Sequence, residues 1–236
     1  MRNFADLAAF LSAAACLAAA ANGPAPAEVS AVYRVIHTGF TIGSINENFV
    51  RKGDAYGIQS VTRSEGPLKL LLDDQITLES TGRVAPSGLQ PFEFTQRRAK
   101  DSKRDIKSAF DWDKGVMRTM MRGEPSETAL LPGTQDRLSV MYQFTYLPAY
   151  GDTLEIPLAI VRRVEPYIYK LVDEVKLNTP AGDFDTRHYR RVVSRPDDTR
   201  VEVWLAKDRF HFPVRAVFDD PKGFRLEQII ESLQTR

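Results

Sequence analysis

Cysteine is all but missing from the 236-residue chain: the single one, Cys16, lies in an N-terminal apolar run. Beyond that run there is no thiol for nucleophilic chemistry, for a disulfide or for a thiolate-bound zinc. Histidine is scarce too. His37, His188 and His211 are the only three, with no i, i+4 pair to hold a metal from one helix face, and no metal or other cofactor is expected. An excess of one charge sign is also lacking, since 32 Lys and Arg face 31 Asp and Glu for a net charge of +1. With no surplus of positive charge to displace phosphate counterions, nucleic acid is excluded as a partner. After residue 27 no apolar run approaches the ~20 residues that cross a bilayer as a helix, so no integral span is expected in the body of the chain. A content of 43% hydrophobic and 27% charged residues, with 14 Gly and 14 Pro, excludes a disordered tail and a collagen repeat.

What is present begins with an address. Arg2 supplies a short positive start, Leu7 to Ala21 is uncharged and mostly Ala and Leu, and Asn22-Gly23-Pro24 breaks the run. Ala25-Pro26-Ala27 then offers the small residues that a signal peptidase reads. These features predict a cleaved secretory signal over 1–27 and an exported, periplasmic domain over 28–236. Cys16 follows Ala13-Ala14-Ala15 and precedes more apolar residues, a context that argues against a lipid anchor.

From Glu28 onward the hydrophobic period is two far more often than 3.6. Strands are expected over Val29–His37, through Phe40, Ile42, Ile45 and Phe49, and through Tyr56, Ile58 and Val61. Ile76–Ser80, Pro91–Thr95, Ile106–Trp112 and Val116–Arg122 continue the series, the last two flanking a turn at Asp113-Lys114-Gly115. Leu154–Val164, Tyr167–Leu177, Phe184–Val193, Val201–Ala206, Phe212–Phe218 and Phe224–Leu233 repeat the style. Two interruptions read as helical. One is Pro67–Leu72; the other is capped by Thr134 or Asp136 and sets Leu138, Met141, Tyr142 and Tyr146 on one face. Gly123 to Gly133, with Pro125 and Pro132, reads as the loop between two strand sets joined near 123–147.

About a dozen strands with short turns give an all-β fold with minor α content. Such a sheet must deal with its edges, either by closing as an open or complete barrel or by curling around a helix. The segment at 136–147 is the expected plug of a strongly curved antiparallel sheet, and the groove beside it the expected home of an apolar ligand.

Seven strings support a resemblance. They are Gly39-Phe40-Thr41-Ile42-Gly43, Gly88-Leu89-Gln90-Pro91, Phe110-Asp111-Trp112, Asp136-Arg137-Leu138-Ser139, Thr179 to Phe184, Val203 to Asp208, and Phe212-Pro213-Val214-Arg215. In this order, from about Glu28 to Leu233, the chain resembles the bacterial exported proteins of domain of unknown function 3108. The resemblance supplies no catalytic residues. It implies a curled-sheet envelope protein, by analogy with folds that carry or sense lipids and lipoproteins.

The candidate chemistry is sparse. Ser139, Asp136 and a histidine would complete a hydrolase triad, but Ser139 lacks a Gly-x-Ser-x-Gly elbow, so no catalytic residue is assigned. His188, among Arg187, Tyr189, Arg190 and Arg191, reads as surface exposed, and His211 as packed at a strand start. Asp111 to Gly115 reads as a turn rather than a calcium loop. Phe92, Phe94, Phe110, Trp112 and Trp204 read as strand aromatics, mostly core. Groove or plug candidates are Leu138, Met141, Tyr142, Trp112 and Trp204. Arg97, Arg98, Lys100, Lys103 and Arg104, with Lys107, cluster about Asp101 and Asp105. That cluster is either a solvated hairpin tip or a dock for anionic lipid headgroups or an acidic polymer. The expected role is a non-enzymatic envelope binding or scaffold protein, its partner a lipid or lipoprotein segment. An envelope-integrity protein that contacts another envelope protein without a ligand, and a hydrolase of envelope material, are the other readings.

Overall fold

A computed structural model describes residues 25–65 and 75–236. The expected leader falls almost wholly outside the described residues, and so does the helical turn expected at 67–72. Fourteen strands, the major part of the chain, form one antiparallel sheet that does not close.

The first eight strands are β1 (Glu28–His37), β2 (Phe40–Lys52), β3 (Ala55–Ser64), β4 (Gln75–Ala85), β5 (Gly88–Arg98), β6 (Ile106–Asp111), β7 (Val116–Met121) and β8 (Glu124–Ala129). The α-helix α1 (Ser139–Tyr146) separates them from β9 (Thr153–Ile160), β10 (Arg163–Thr179), β11 (Gly182–Arg191), β12 (Arg200–Ala206), β13 (Phe212–Asp219) and β14 (Arg225–Thr235). Each set is a meander, and among the described residues the only strand pairing far apart in sequence is β1 with β14. The chain therefore leaves one edge at β8, crosses through α1, and starts again from the other edge at β9.

The two edges face each other across a seam. Thr128 Oγ1 on β8 donates to the Arg162 carbonyl, and Arg162 pairs with Glu124 at 2.5 Å. Gln135 supplies β9 with a substitute neighbour: its N–H donates to Pro157 O and its carbonyl accepts from Ala159 N, both at 2.8 Å. An edge that would otherwise present bare backbone groups is thus covered by the connecting chain.

Residues 124–129 correct the reading of 123–133 as a loop. Pro125 and the polar Glu124, Ser126, Glu127 and Thr128 look like loop chemistry, but β8 pairs with β7 alone, where a missing N–H is tolerated. The β9–β10 turn falls at Val161-Arg162 instead of at Glu165-Pro166, and Pro166 lies directly opposite Pro157 in the ladder. It is accommodated there because the β10–β11 ladder begins only at Tyr169. Trp112 lies in the turn after β6, and Phe92 is exposed on β5, its ring beneath the Arg83 guanidinium at 5.9 Å.

The helix is shorter than 136–147 and is buried on more than one face. Leu138 and Tyr142 pack with Phe49 and Phe212, while Val140 and Phe144 pack with Tyr169, Tyr189, Val203 and Leu205. Only Met141 and Tyr146 in the helix are half-buried. The amphipathic pattern at 138, 141, 142 and 146 fails because the sheet wraps both sides, which leaves no solvent face to keep polar. Asp136, not Thr134, caps the first turn: its Oδ1 accepts from Leu138 N and Ser139 N at 2.8 Å each. Thr134 instead holds the preceding turn through Leu131. Gln143 ties α1 to the start of β5 by accepting from Leu89 N at 2.7 Å. Gly88 makes that approach possible, because at φ +114° a Cβ would meet the Gln143 amide at 2.3 Å.

Candidate functional site

The inside of the curl is filled by side chains. Tyr142 stacks on Phe49 at 5.2 Å and meets Phe212 edge-on at 5.6 Å, and Leu138 is likewise fully buried. Met141 packs against both core clusters. An enclosed void between Phe94, Ser108, Met117 and Asp136 measures about 10 Å³, room for one water at most. Leu138, Met141 and Tyr142 therefore sit as core residues around α1.

Trp112 donates its indole N–H to Pro91 O at 2.6 Å and stacks on Phe110 at 6.3 Å. Trp204 points away from the face shared by Val203 and Leu205, as its place between them in β12 requires. Its two faces are covered by the His188 ring at 4.1 Å and the Arg215 guanidinium at 4.4 Å.

Two buried carboxyls stand behind the core. Glu47 on β2 is flanked by Ala31 and Ser60 in register, and burial pushes its pKa up to about 7 against the pull of the Ser60 and Tyr142 hydroxyls. Burial also raises Asp136, although Ser80 Oγ donates to it at 2.6 Å. Ser139 is spent locally, its Oγ accepting from Asp136 N at 2.9 Å.

The histidines do not converge on it. His37 Nδ1 lies 2.7 Å from Arg225 O, and His211 stacks on Tyr150 at 3.6 Å. Burial lowers His211 to about 4. His188, expected at the surface, is only 7% exposed. Register places it against Trp204, with Nδ1 3.2 Å from Asp173 and Nε2 2.6 Å from Glu202. Burial would raise the Glu202 carboxyl, but hydrogen bonds from Arg190 and His188 outweigh it and hold the group low. Both ring nitrogens of His188 are thereby engaged, in a stack that rigidifies the sheet. Among the described residues, no cluster of three or more His, Cys, Asp or Glu side chains could hold a metal.

Space opens instead on the outside, beside β5 to β8. A groove of about 990 Å³ runs between the β5–β6 connection and the end of β7, lined by Arg97, Lys103, Arg104, Lys107, Met120 and Arg122 among others. A second hollow of about 490 Å³ shares Lys107 and Met120 with it and continues over Ala109 and Pro125. The floor is apolar, since Met120 is 46% exposed opposite Lys107 in the ladder. Acidic groups are present but partly engaged: Glu79 lies 3.9 Å from Arg97, and Asp105 accepts from Arg98 N. Lys103, Arg104 and Lys107 have no ion-pair partner among the described residues.

The basic cluster of the sequence is thus divided: Arg97, Lys103 and Arg104 line the groove, whereas Arg98 and Lys100 do not. Met120, Arg122 and Pro125 escaped sequence reasoning because the adjoining strand read as a loop. The signal available was alternation in β7, where buried Met117 and Thr119 leave Met120 facing out.

A family model described as protein of unknown function DUF3108 matches residues 31–228. No curated protein matches the chain. The fold resembles a β-barrel-like protein of domain of unknown function DUF1849 from Brucella abortus, with a TM-score of 0.57 at 12% identity, over 89% of this chain and 98% of that one. Weaker likenesses are to a protein from Bacteroides fragilis named as exported with a YmcC-like fold, and to one from Parabacteroides distasonis named as a lipoprotein. Their TM-scores are 0.34 and 0.35, each at 10% identity over 89% of this chain, covering 96% and 97% of theirs.

Proposed function

The chain belongs to the DUF3108 family, and on that premise we propose that it is a non-enzymatic binding protein of the bacterial cell envelope. It takes its ligand on the outside of a filled, curled sheet, in the groove beside β5 to β8. The observation that carries this reading is the pairing of an apolar floor, Ala109, Met120 and Pro125, with the unpaired cations Lys103, Arg104 and Lys107. Such a surface suits an anionic amphiphile: an acyl chain or apolar side chain below, a phosphate or carboxylate above. The leader-like residues 1–27 support export to the periplasm.

The test is titration with dihexanoyl phosphatidylglycerol below its micelle concentration, followed by amide chemical shifts. Saturable binding that moves the amides of Lys107, Met120 and Arg122 is expected, weaker for dihexanoyl phosphatidylcholine. Met120→Asp should weaken it about tenfold or more, the scale of losing one buried Met contact. Absence of saturable binding, or shifts confined to other strands, would overturn the reading.

A further inference from the structure

An antiparallel meander puts every second turn at the same end of the sheet. One end here carries the β1–β2 turn at Thr38-Gly39, residues 99–105 between β5 and β6, and the β7–β8 turn at Arg122-Gly123. The β9–β10 turn at Val161-Arg162, residues 192–199 and residues 220–224 also lie at this end among the described residues. Phe40, 74% exposed, and Phe224, 49% exposed, are the two barest large apolar side chains of the described residues, and both stand on this rim. Phe224 is held in place: it stacks on His37 at 4.6 Å, and His37 Nδ1 is fixed at Arg225 O. Exposed Val192 and Val193 lie on the same rim.

Cations without ion pairs stand here as well, at Lys103 and Arg104, with Arg122 exposed in the next turn along. Ion pairs occur at both ends: on the rim Arg162 pairs with Glu124 and Arg225 with Asp219, and others lie at the far end. Lys114 pairs with Asp111, Lys176 with Asp183, Lys207 with Glu174 and Arg209 with Asp208. Aromatic rings turned to solvent on the same rim as unpaired cations match the interface of a bilayer: rings enter the headgroup–acyl boundary and cations meet lipid phosphates.

We propose that this rim docks on an anionic lipid bilayer, with Phe40 and Phe224 inserted and Lys103, Arg104 and Arg122 facing the phosphates. The proposal goes beyond ligand binding in the groove, whose mouth lies at the same end, and assigns the molecule an orientation on the membrane.

Co-sedimentation of the exported chain with vesicles of phosphatidylglycerol and phosphatidylethanolamine tests it. Binding is expected, and it should weaken as salt is added. Lys103→Gln with Arg104→Gln should weaken it by about 25-fold, at roughly fivefold for each charge near the surface. Phe40→Ser with Phe224→Ser should cost about tenfold or more, while Leu131→Ser at the opposite end should leave binding unchanged. Equal binding to phosphatidylcholine vesicles would overturn the proposal. So would binding indifferent to the two Phe substitutions, which would mark attraction to any polyanion. Titration with monomeric short-chain lipid on the same variants separates the two ideas: if it persists while vesicles are not bound, the docking rim is refuted and the groove stands.

Discussion

Glu47 offers the sharpest test of the packing described above. It lies on the inward face of β2 between Ile45 and Phe49, a carboxyl in a row of buried apolar side chains. Burial pushes it up to about 7 from an ordinary 4.5, so the folded protein holds it neutral more firmly than the unfolded chain does. A group raised on folding contributes stability that is fully present below the unfolded value and is lost as pH climbs through the folded one. The window for Glu47 therefore runs from 4.5 to about 7, with a plateau above. At 1.36 kcal/mol per pH unit, that gap is worth about 3 kcal/mol. Glu47→Gln keeps the shape and removes the charge. Urea unfolding should find the variant more stable than the parent by up to about 3 kcal/mol near pH 8, and the difference should shrink to nothing or reverse near pH 4.5. His211 acts in the opposite sense at lower pH, but it is common to both proteins and drops out of the difference. A difference that stays flat from about pH 5 to about pH 8 would refute the burial argument for Glu47.

Asp136→Ala should cost about 2–4 kcal/mol in urea unfolding, because it removes the cap of α1 and takes the carboxylate acceptor from the buried Ser80 hydroxyl. A loss below about 0.5 kcal/mol would mean that the helix is held by packing alone. Burial lowers His211 to about 4, so its neutral form stabilises the fold above the ordinary 6.5 and that stability is lost as pH falls from 6.5 to about 4. His211→Asn, which suits the positive φ of 55° at that position, should flatten this arm of a Tm-against-pH curve; an unchanged slope would assign it to other groups.

The strand meander was legible because each strand alternates and each turn is punctuated. The hairpin at Asp111 to Gly115 is an example: Asp111 accepts from Lys114 N, and Gly115 takes φ +64°. Elements whose partners decide their state were harder to read. Residues 124–129 carry no hydrophobic alternation, and they become a strand only because β7 offers a free edge. His188 sits in a run of charged and polar residues, yet cross-strand register places it flat on Trp204. The candidate groove was half visible. Four of its cations fall within residues 97–107, whereas Met120 and Arg122 reach it through the β6–β7 ladder and the turn beyond β7.

Taken alone, the order of residues determined a largely β chain with one short helix in the crossing between two meanders, and a basic cluster near 97–107. Those properties arise from neighbours a few positions apart: side-chain alternation, turn chemistry and charge. The tertiary structure decided that the helix is enclosed on more than one face, that Glu47 and Asp136 are stripped of water, and that the open space lies outside the sheet. Each of those outcomes depends on how strongly fourteen strands curl and where their two edges meet, a sum of small twists and registers over the whole sheet that no local pattern encodes.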